Sequence, residues 1–596
     1  MKFTSLNNIF QDAKQTFQRF SWTLISSFAG TLSVISWIHL ERVKGMRLPE
    51  WIGDELGKLA MTATLGLTLF LAIQVFSEVK ILEKRKRAWF NLLALAVLVT
   101  YFLTLLGKLK GEQFYRFYMI NANLHLLVAI APFLFERHLT NAFWQYNKSL
   151  FIRVGICAIY SSTIYFGSVI AIACLNSLFN LRIREDIYFQ LWFVVMGVFN
   201  TWFFLGGIPS DIKGLEKQED YPKGLKIFTQ FILIPLVVVY YVILYLYMGK
   251  IVATWTLPVG WLSSFIIGAS LLGILTQLLV YPLRKDVDFG WIRTYAKYFY
   301  RALFPLVVLM AVAIFRRISE YGITVERYFV LLFTVWLFYI SIRFTFKPET
   351  NIRLIPTSMC LLAAMAAFGP LSAVSVSGKS QLGRLEFYLS KNGYLIDGVF
   401  SQQKRKSSFK DSAEISSIVE YLHNMHGLGI LNRWAINHKD FQTMDQYSFC
   451  RDFLGIEFVE PYQRRLNPSA SGQVYFYYTA QPVNVLPVEG FDYLFNLQGL
   501  YGNQTPDKRV METTLGPVHV RLIDKDNVFE LFYGEEHFFF DLKALLKDLK
   551  ESNSVQGYNV DPNKMIFEQE SSRIKVRLIL NSLNGNYVNE TARVDS

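Results

Sequence analysis

Cysteine is scarce in this sequence, with four residues among 596. Cys157, Cys174 and Cys360 lie inside long apolar stretches, so Cys450 is the one thiol in the rest of the chain. The region around Cys450 therefore cannot hold an internal disulfide or a zinc site built from several cysteines. We expect the chain to bind no metal ion and no cofactor.

Charged residues are also few, at 18% of the chain, and no Asp or Glu lies in the core of an apolar stretch. Proton relays and cation-coupled carriers commonly place carboxylates near the membrane midplane. The absence of such carboxylates makes proton-driven transport a weaker hypothesis without excluding it. Nucleophile motifs and phosphate-binding loops are missing too, so the sequence favours a protein that is not an enzyme.

Apolar residues are abundant instead: they make up 52% of the chain, and the mean hydropathy is +0.27. Eleven apolar stretches have about the length that a helix needs to cross a bilayer. They are Phe20–Leu40, Leu59–Val79, Ala88–Gly107, Tyr115–Phe135, Ile152–Cys174, Tyr188–Ile208, Ile227–Met248, Gly260–Tyr281, Phe299–Phe315, Tyr328–Phe346 and Leu354–Val374. The sequence therefore predicts an α-helical polytopic membrane bundle over residues 1–375, with the lipid bilayer as its first partner.

The basic residues between these stretches predict the orientation. Short loops rich in Lys and Arg stay on the cytoplasmic side, and the densest run is Lys80–Arg87. More of the loop Lys and Arg residues fall on the cytoplasmic side if the N-terminus is cytoplasmic. An odd number of spans then places the C-terminal region on the outer face of the membrane, in a periplasm if the cell has one. The net charge of +13 is explained by this topology, so we expect no nucleic-acid partner.

The fourth apolar stretch carries the densest group of polar residues. Arg116, Asn121, Asn123 and His125 fall within ten residues, and Asn121 and His125 share a helix face. These residues could line a polar path for a small solute. Alternatively, the amides could bond neighbouring helices, for about 1 kcal/mol or less each.

A conspicuous motif, RISEYGITVERY, spans Arg317 to Tyr328 between the ninth and tenth stretches. Gly322 can adopt the left-handed conformation that closes a helix, and Thr324 is a good N-cap for the next one. The motif therefore predicts a tight helical hairpin, in which Arg317 could pair with Glu320 or Glu326.

Together with the segments Tyr221–Tyr245, Trp291–Leu306 and 380–395, this motif resembles a family of bacterial polytopic membrane proteins catalogued as domain of unknown function 4153. The resemblance implies a location and an architecture, but no assigned activity and no catalytic residues. The residues that match the hairpin motif are our candidate binding site, with a purely structural turn as the alternative. They are Arg317, Glu320, Tyr321, Gly322, Thr324 and Arg327.

Residues 376–596 have the composition of a soluble α+β domain with an antiparallel sheet. We expect helices at Gln381–Ser390, from Asp411 to Gly427 with a capping box of Asp411 and Glu414, and after Asp541. The predicted strands are Val474–Tyr478, Val518–Ile523, Val528–Tyr533, Met565–Glu568 and Ile574–Leu580, with a hairpin at Lys525 and Asp526.

Chemistry is scarce in this domain. His423 and His426 lie one helical turn apart, but no third metal ligand can be named, and they could equally be two surface histidines. Glu535, Glu536 and His537 beside an aromatic strand are similarly ambiguous.

These observations favour a membrane anchor for an extracytoplasmic domain that binds or senses an envelope protein or a small molecule. Two alternatives remain. The first is a transporter or channel for a small solute. The second is a membrane-embedded transferase acting on lipid-linked substrates, for which Glu41, Glu50, Asp54 and Glu55 are the acidic candidates.

Overall fold

A computed structural model of the chain describes most of its residues. The described residues are 6–42, 51–105, 109, 111–136, 138–255, 262–285, 290–400, 407–434, 441–456, 458–459, 473–479, 488–495, 509–514, 516–523, 528–552, 561–588 and 591–594. They form two compact units, Met1–Ile456 and Glu457–Ser596.

The first unit is helical. An amphipathic helix, α1 (Leu6–Arg19), precedes eleven helices that match the eleven predicted stretches one to one. These are α2 (Ser21–Arg42), α3 (Trp51–Lys80), α4 (Lys84–Thr104), α5 (Gly111–Ile130), α6 (Thr140–Phe179), α7 (Asp186–Gly206), α8 (Lys223–Thr254), α9 (Leu262–Leu279), α10 (Gly290–Tyr321), α11 (Val325–Phe346) and α12 (Leu354–Ala367). The ninth and tenth are longer than expected, because the aromatic residues before Phe299 and the residues around the hairpin motif are helical too.

Nine of the helices in the described part of the chain are long and apolar enough to cross a membrane. The two exceptions among α2–α12 are α5, which carries the polar residues, and α12, which has 14 residues. These two helices pack side by side. Asn123 on α5 donates a hydrogen bond of 3.1 Å to the Cys360 carbonyl on α12, and the Cys360 thiol donates one of 2.9 Å to the Asn123 side-chain oxygen. The polar group of α5 therefore serves helix packing at this position.

Ion pairs join the helix ends in two groups. At one end, Glu136, just after α5, lies 3.0 Å from Lys80 at the end of α3. Arg353, just before α12, donates a hydrogen bond of 2.8 Å to the Glu136 carbonyl. At the same end, Arg19 forms a two-pronged ion pair with Glu78, both N–O distances being 2.8 Å. The ends of α1, α3 and α5 and the start of α12 therefore lie together.

The opposite ends also meet one another. The Tyr115 hydroxyl near the start of α5 donates to Glu326 at the start of α11. Glu112, also in the first turn of α5, lies 3.6 Å from His426. Helices α5 and α11 therefore begin at this end, whereas α12 begins at the other.

After α12 the chain folds back onto this second end. Helix α13 (Ala373–Lys391), the short hairpin of β1 (Leu395–Ile396) and β2 (Val399–Phe400), α14 (Phe409–Met425) and the short α15 (Gln446–Ser448) all belong to the helical unit. The helix predicted from Asp411 to Gly427 is confirmed as α14, and its apolar residues Ile415, Ile418, Val419 and Leu422 are buried. Residues 376–456 thus belong to the same compact unit as the helices, and the predicted domain boundary at residue 375 stays a prediction.

The predicted capping box of this helix is wrong. Ser408 is the N-cap, and its hydroxyl accepts from the Asp411 amide. Asp411 and Glu414 instead bind basic residues of α13, namely Lys391 at 2.8 Å and Arg384 at 2.7 Å. Burial acts to raise the pKa of Asp411, but the hydrogen bond and charge of Lys391 outweigh it, and the pKa is lowered.

The second unit contains small antiparallel sheets. One has the order β4 (Arg509–Thr513), β5 (Gly516–Ile523), β6 (Val528–Tyr533), β7 (Glu536–Asp541), and a two-stranded ribbon joins β8 (Ile566–Glu570) to β9 (Lys575–Ile579). A third sheet joins β11 (Thr591–Val594), β10 (Ser582–Val588) and β3 (Gln473–Thr479). The helix predicted after Asp541 is confirmed as α16 (Leu542–Ser552), which buries Leu542, Leu545, Leu546 and Leu549. Asp541 caps it by accepting from the Lys543 amide. The predicted α+β class and the antiparallel pairing of β5 with β6 are confirmed. The turn at Lys525 and Asp526 lies outside the described residues.

The ion pairs around Glu136, at the first end of the bundle, can be tested by their effect on stability. The hydrogen bond from Lys80 lowers the pKa of Glu136 most; partial burial opposes it, and the charges of Lys80 and Lys213 lower it further. A carboxylate whose pKa is lowered by folding stabilises the fold at pH values above its ordinary pKa of 4.5. This stabilisation is lost as the pH falls through the pKa of the folded state.

We therefore expect Glu136→Gln to lower the thermal unfolding midpoint of the detergent-purified protein at about pH 7, and to have little effect at about pH 3. Tryptophan fluorescence at the two pH values measures the difference. An equal shift at both values would contradict the ion-pair account.

Candidate functional site

The hairpin motif has the predicted backbone. Gly322 has a φ of +67° and its amide donates 2.8 Å to the Ile318 carbonyl, which closes α10. Thr324 is extended, and its hydroxyl accepts from the Arg327 amide at the start of α11. Glycine is needed here for two reasons, the left-handed φ and the lack of space, because a Cβ would lie 2.5 Å from Cδ of Arg384.

Two helices that follow the membrane bundle hold the hairpin by its backbone. The buried Gln381 on α13 donates hydrogen bonds of 3.1 Å to the carbonyls of Tyr321 and Ile323. Arg384 donates one of 2.7 Å to the Tyr321 carbonyl. These bonds satisfy carbonyls that the helix end leaves without an intrahelical partner.

Amide groups of the hairpin are bound in the same way. The Ser380 hydroxyl accepts from the Ile323 amide at 2.9 Å, and the Tyr421 hydroxyl on α14 accepts from the Val325 amide at 3.0 Å. Burial raises the pKa of Tyr421, so this hydroxyl stays protonated at neutral pH. We call Ser380, Gln381, Arg384 and Tyr421 the hairpin clamp.

The charged residues of the motif serve local structure. Arg327 donates hydrogen bonds of 3.0 and 2.9 Å to the carbonyls of Tyr321 and Gly322, and its guanidinium lies 5.3 Å from the Tyr321 ring centre. The predicted pairing of Arg317 with a glutamate is wrong. Arg316, one position earlier, binds Glu320 at 3.1 Å, because the two are four residues apart on α10. Glu326 accepts from Tyr115 instead.

The structure brings the six predicted site residues to one turn but gives them backbone and neighbour contacts. Many hydrogen-bond donors surround this turn. Such a joint can fix α13 and α14 rigidly to the end of the bundle. Its role as a binding site stays a prediction. Sequence reasoning missed the hairpin clamp, because Gln381 is one of many polar residues on α13 and no local signal distinguishes it.

The polar group of α5 does not converge on one point. Asn123 faces α12, whereas His125 is exposed and its Nδ1 lies 2.8 Å from the Asn121 carbonyl of its own helix. The Asn121 side-chain oxygen is buried and finds no hydrogen-bond donor within the described residues. Arg116 is half-buried toward the start of the same helix.

The histidines that the sequence analysis named lie in different surroundings. The His426 side chain is buried beside Glu112 and packs against Gly378, so it is not a surface residue, whereas His423 is half-buried. His537 binds Glu530 at 2.7 Å, and Glu536 accepts from Ser571. Among the described residues, no three His, Cys, Asp or Glu side chains are grouped as metal ligands.

The acidic residues proposed for a transferase are only partly described. Glu55 on α3 binds Lys58 at 2.7 Å, and Asp54 lies in the first turn of the same helix. The side chains of Glu41 and Glu50 lie outside the described residues.

An apolar cleft of about 830 Å³ lies between α8 and α10. Tyr241, Tyr245, Tyr295 and Tyr298 line it, together with aliphatic residues of α8. Two of the tyrosine hydroxyls are used internally: Tyr245 donates to the Ala302 carbonyl at 2.7 Å, and Tyr295 to the Gly273 carbonyl at 3.2 Å. Such a lining suits hydrocarbon better than a hydrated ion.

Comparison with known proteins supports the family resemblance. The family model described as Domain of unknown function (DUF4153) matches residues 46–397, more than half of the chain. The chain belongs to this family. The match begins before α3 and ends after α13, so it includes the hairpin and most of its clamp. The matched residues therefore lie within the helical unit.

A relative supports the same assignment over a longer range. The chain is 24% identical over 528 residues to an uncharacterized protein of Pasteurella multocida (strain Pm70), which covers 85% of each chain. No solved structure matches the chain significantly. The similarity therefore extends into the C-terminal unit, but it brings no activity with it.

The joint is tested by two glycine substitutions. We expect Gly322→Ala to destabilise the protein by about 2 kcal/mol, because alanine is strained at a positive φ and its Cβ would displace Arg384. Gly383→Ala on α13 is the matched control, since nothing lies within 4 Å of its added Cβ. It should be neutral or gain up to about 1 kcal/mol from helix propensity.

Unfolding by sodium dodecyl sulfate in mixed micelles measures both variants. If the two glycines tolerate alanine equally well, the hairpin does not need its left-handed turn or its contact with Arg384.

Proposed function

We propose that the chain is a multi-pass protein of the bacterial inner membrane that holds a partner-binding module on the outer face. In this proposal the N-terminus is cytoplasmic and residues 376–596 are periplasmic. The helical unit is the anchor, the hairpin clamp is the joint, and the C-terminal unit binds an envelope protein or a small molecule.

The proposed sidedness rests on which segments lie at each end of the bundle. The end that contains Glu136 also contains Lys80–Arg87, the densest basic run of the chain, and the opposite end contains the hairpin clamp. Because basic loops are retained in the cytoplasm, the end with the hairpin clamp is expected to face outward.

An aromatic row on the four-stranded sheet supports the binding role. His519, Phe532 and His537 stack in sequence across β5, β6 and β7, with ring centres 4.6 and 5.1 Å apart, and Phe539 continues the row at 6.0 Å. Phe539 is 51% exposed, whereas Phe538 on the opposite face is buried in the core. Rings on a solvent-facing sheet surface are typical of binding surfaces, because aromatic side chains dominate interface energies.

One experiment tests sidedness and binding together. In full-length protein whose four cysteines are replaced by alanine, Phe539→Cys is labelled in spheroplasts with a membrane-impermeant thiol-reactive photo-cross-linker. Lys547→Cys, an exposed position on α16, is the matched control. We expect both to be labelled, and a discrete cross-linked product to form from position 539 alone.

Two results would refute the proposal. Labelling of both cysteines only after the cells are broken would place the C-terminal unit in the cytoplasm. Identical cross-linked products from 539 and 547 would show that the aromatic row has no preferred partner.

A further inference from the structure

A polar cavity of about 210 Å³ lies at the same end of the bundle as Lys80–Arg87. It is enclosed by the start of α2, the third turn from the end of α3 and the first two turns of α4. Its polar lining includes Arg19, Gln74, Lys84, Arg87 and Asn91, and Trp22 contributes an apolar wall.

The cavity has an excess of positive charge. Arg19 is neutralised by its two-pronged ion pair with Glu78, which also accepts from Gln74 at 2.8 Å. The charges of Lys84 and Arg87 remain, and no lining residue in the described part of the chain is acidic. The neighbouring Glu83 lies 3.8 Å from Lys86, which is outside the lining. An anion is therefore the complementary ligand.

Two further features favour an anion with hydrogen-bond acceptors. Asn91 is only 7% exposed, yet no hydrogen bond joins its amide to another described residue. The first turn of α4, whose Lys84 lines the cavity, also has no side-chain cap, because Glu83 makes no capping hydrogen bond. A phosphate oxygen would satisfy both kinds of donor.

The surface beside the cavity is apolar. Trp89, Leu92, Leu93 and Val97 on the next turns of α4 are all exposed, as expected for side chains that face lipid tails. A ligand in the cavity thus lies beside hydrocarbon on one side and cations on the other. Inorganic phosphate would use only the cations, whereas a phospholipid uses both.

We propose that this cavity binds the phosphate headgroup of an anionic phospholipid. Lys84 and Arg87 supply the charge, Asn91 donates a hydrogen bond, and the acyl chains lie along the exposed face of α4. The site lies away from the hairpin clamp and does not depend on the function of the C-terminal unit.

Native mass spectrometry of the full-length, delipidated protein tests the site. Phosphatidylglycerol, and phosphatidylcholine as a zwitterionic reference, are added in detergent. We expect Lys84→Ala with Arg87→Ala to weaken phosphatidylglycerol binding at least about tenfold. Asn91→Leu, which changes no charge, should weaken it severalfold.

Arg85→Ala with Lys86→Ala is the matched control, because it removes the same charge from the same basic run outside the cavity lining. It should change binding by less than about twofold. Equal losses in both double variants would reduce the effect to general surface charge and overturn the proposal. Displacement of phosphatidylglycerol by millimolar inorganic phosphate would assign the cavity to a free anion instead.

Discussion

The arrangement of the bundle depends on the contacts that Glu136 makes. Its carboxylate lies 3.0 Å from Lys80 and 3.9 Å from Lys213, and its carbonyl accepts from Arg353. These partners come from α3, from the segment between α7 and α8, and from the start of α12. A single acidic residue thus gathers basic groups that would repel one another, at the end of the bundle where positive charge is concentrated.

The contacts around Glu136 include the ends of α5 and α12, the two helices that do not have the length and hydropathy typical of membrane spans. Helix α5 is polar and α12 is short, yet both are joined to the Glu136 cluster at one end and pack through Asn123 and Cys360. An α12 of 14 residues is about 21 Å long, shorter than the hydrocarbon core of about 30 Å. In the topology that we propose, local thinning of the bilayer accommodates this mismatch at modest cost.

Much of the helical unit could be predicted, because apolar length and helix-closing residues are local signals. The matching of eleven stretches to α2–α12, the turn at Gly322 and the cap at Thr324 follow from neighbouring residues alone. The contacts of the hairpin do not. Gln381 and Arg384 bind carbonyls about sixty positions earlier, and any polar side chain nearby could have done so.

The same limit explains the errors. Arg316 and Arg317 lie four and three residues before Glu320, and both spacings allow an ion pair on a helix, so the sequence alone does not choose between them. Asp411 looked like a cap because Glu414 follows it, whereas two basic residues of α13 bind both carboxylates. In the C-terminal unit, runs of aromatic and branched residues predicted five strands, while β4, β7, β10 and β11 were missed because their patterns are short or interrupted by polar residues.

The central claim is that α12 crosses the membrane and reverses the side on which the chain continues. Alkaline phosphatase, which becomes active only outside the cytoplasm, can be inserted after Glu349 between α11 and α12, or fused after Ser596. The account predicts an inactive enzyme at the first position and an active one at the second. Equal activity at both positions would contradict it.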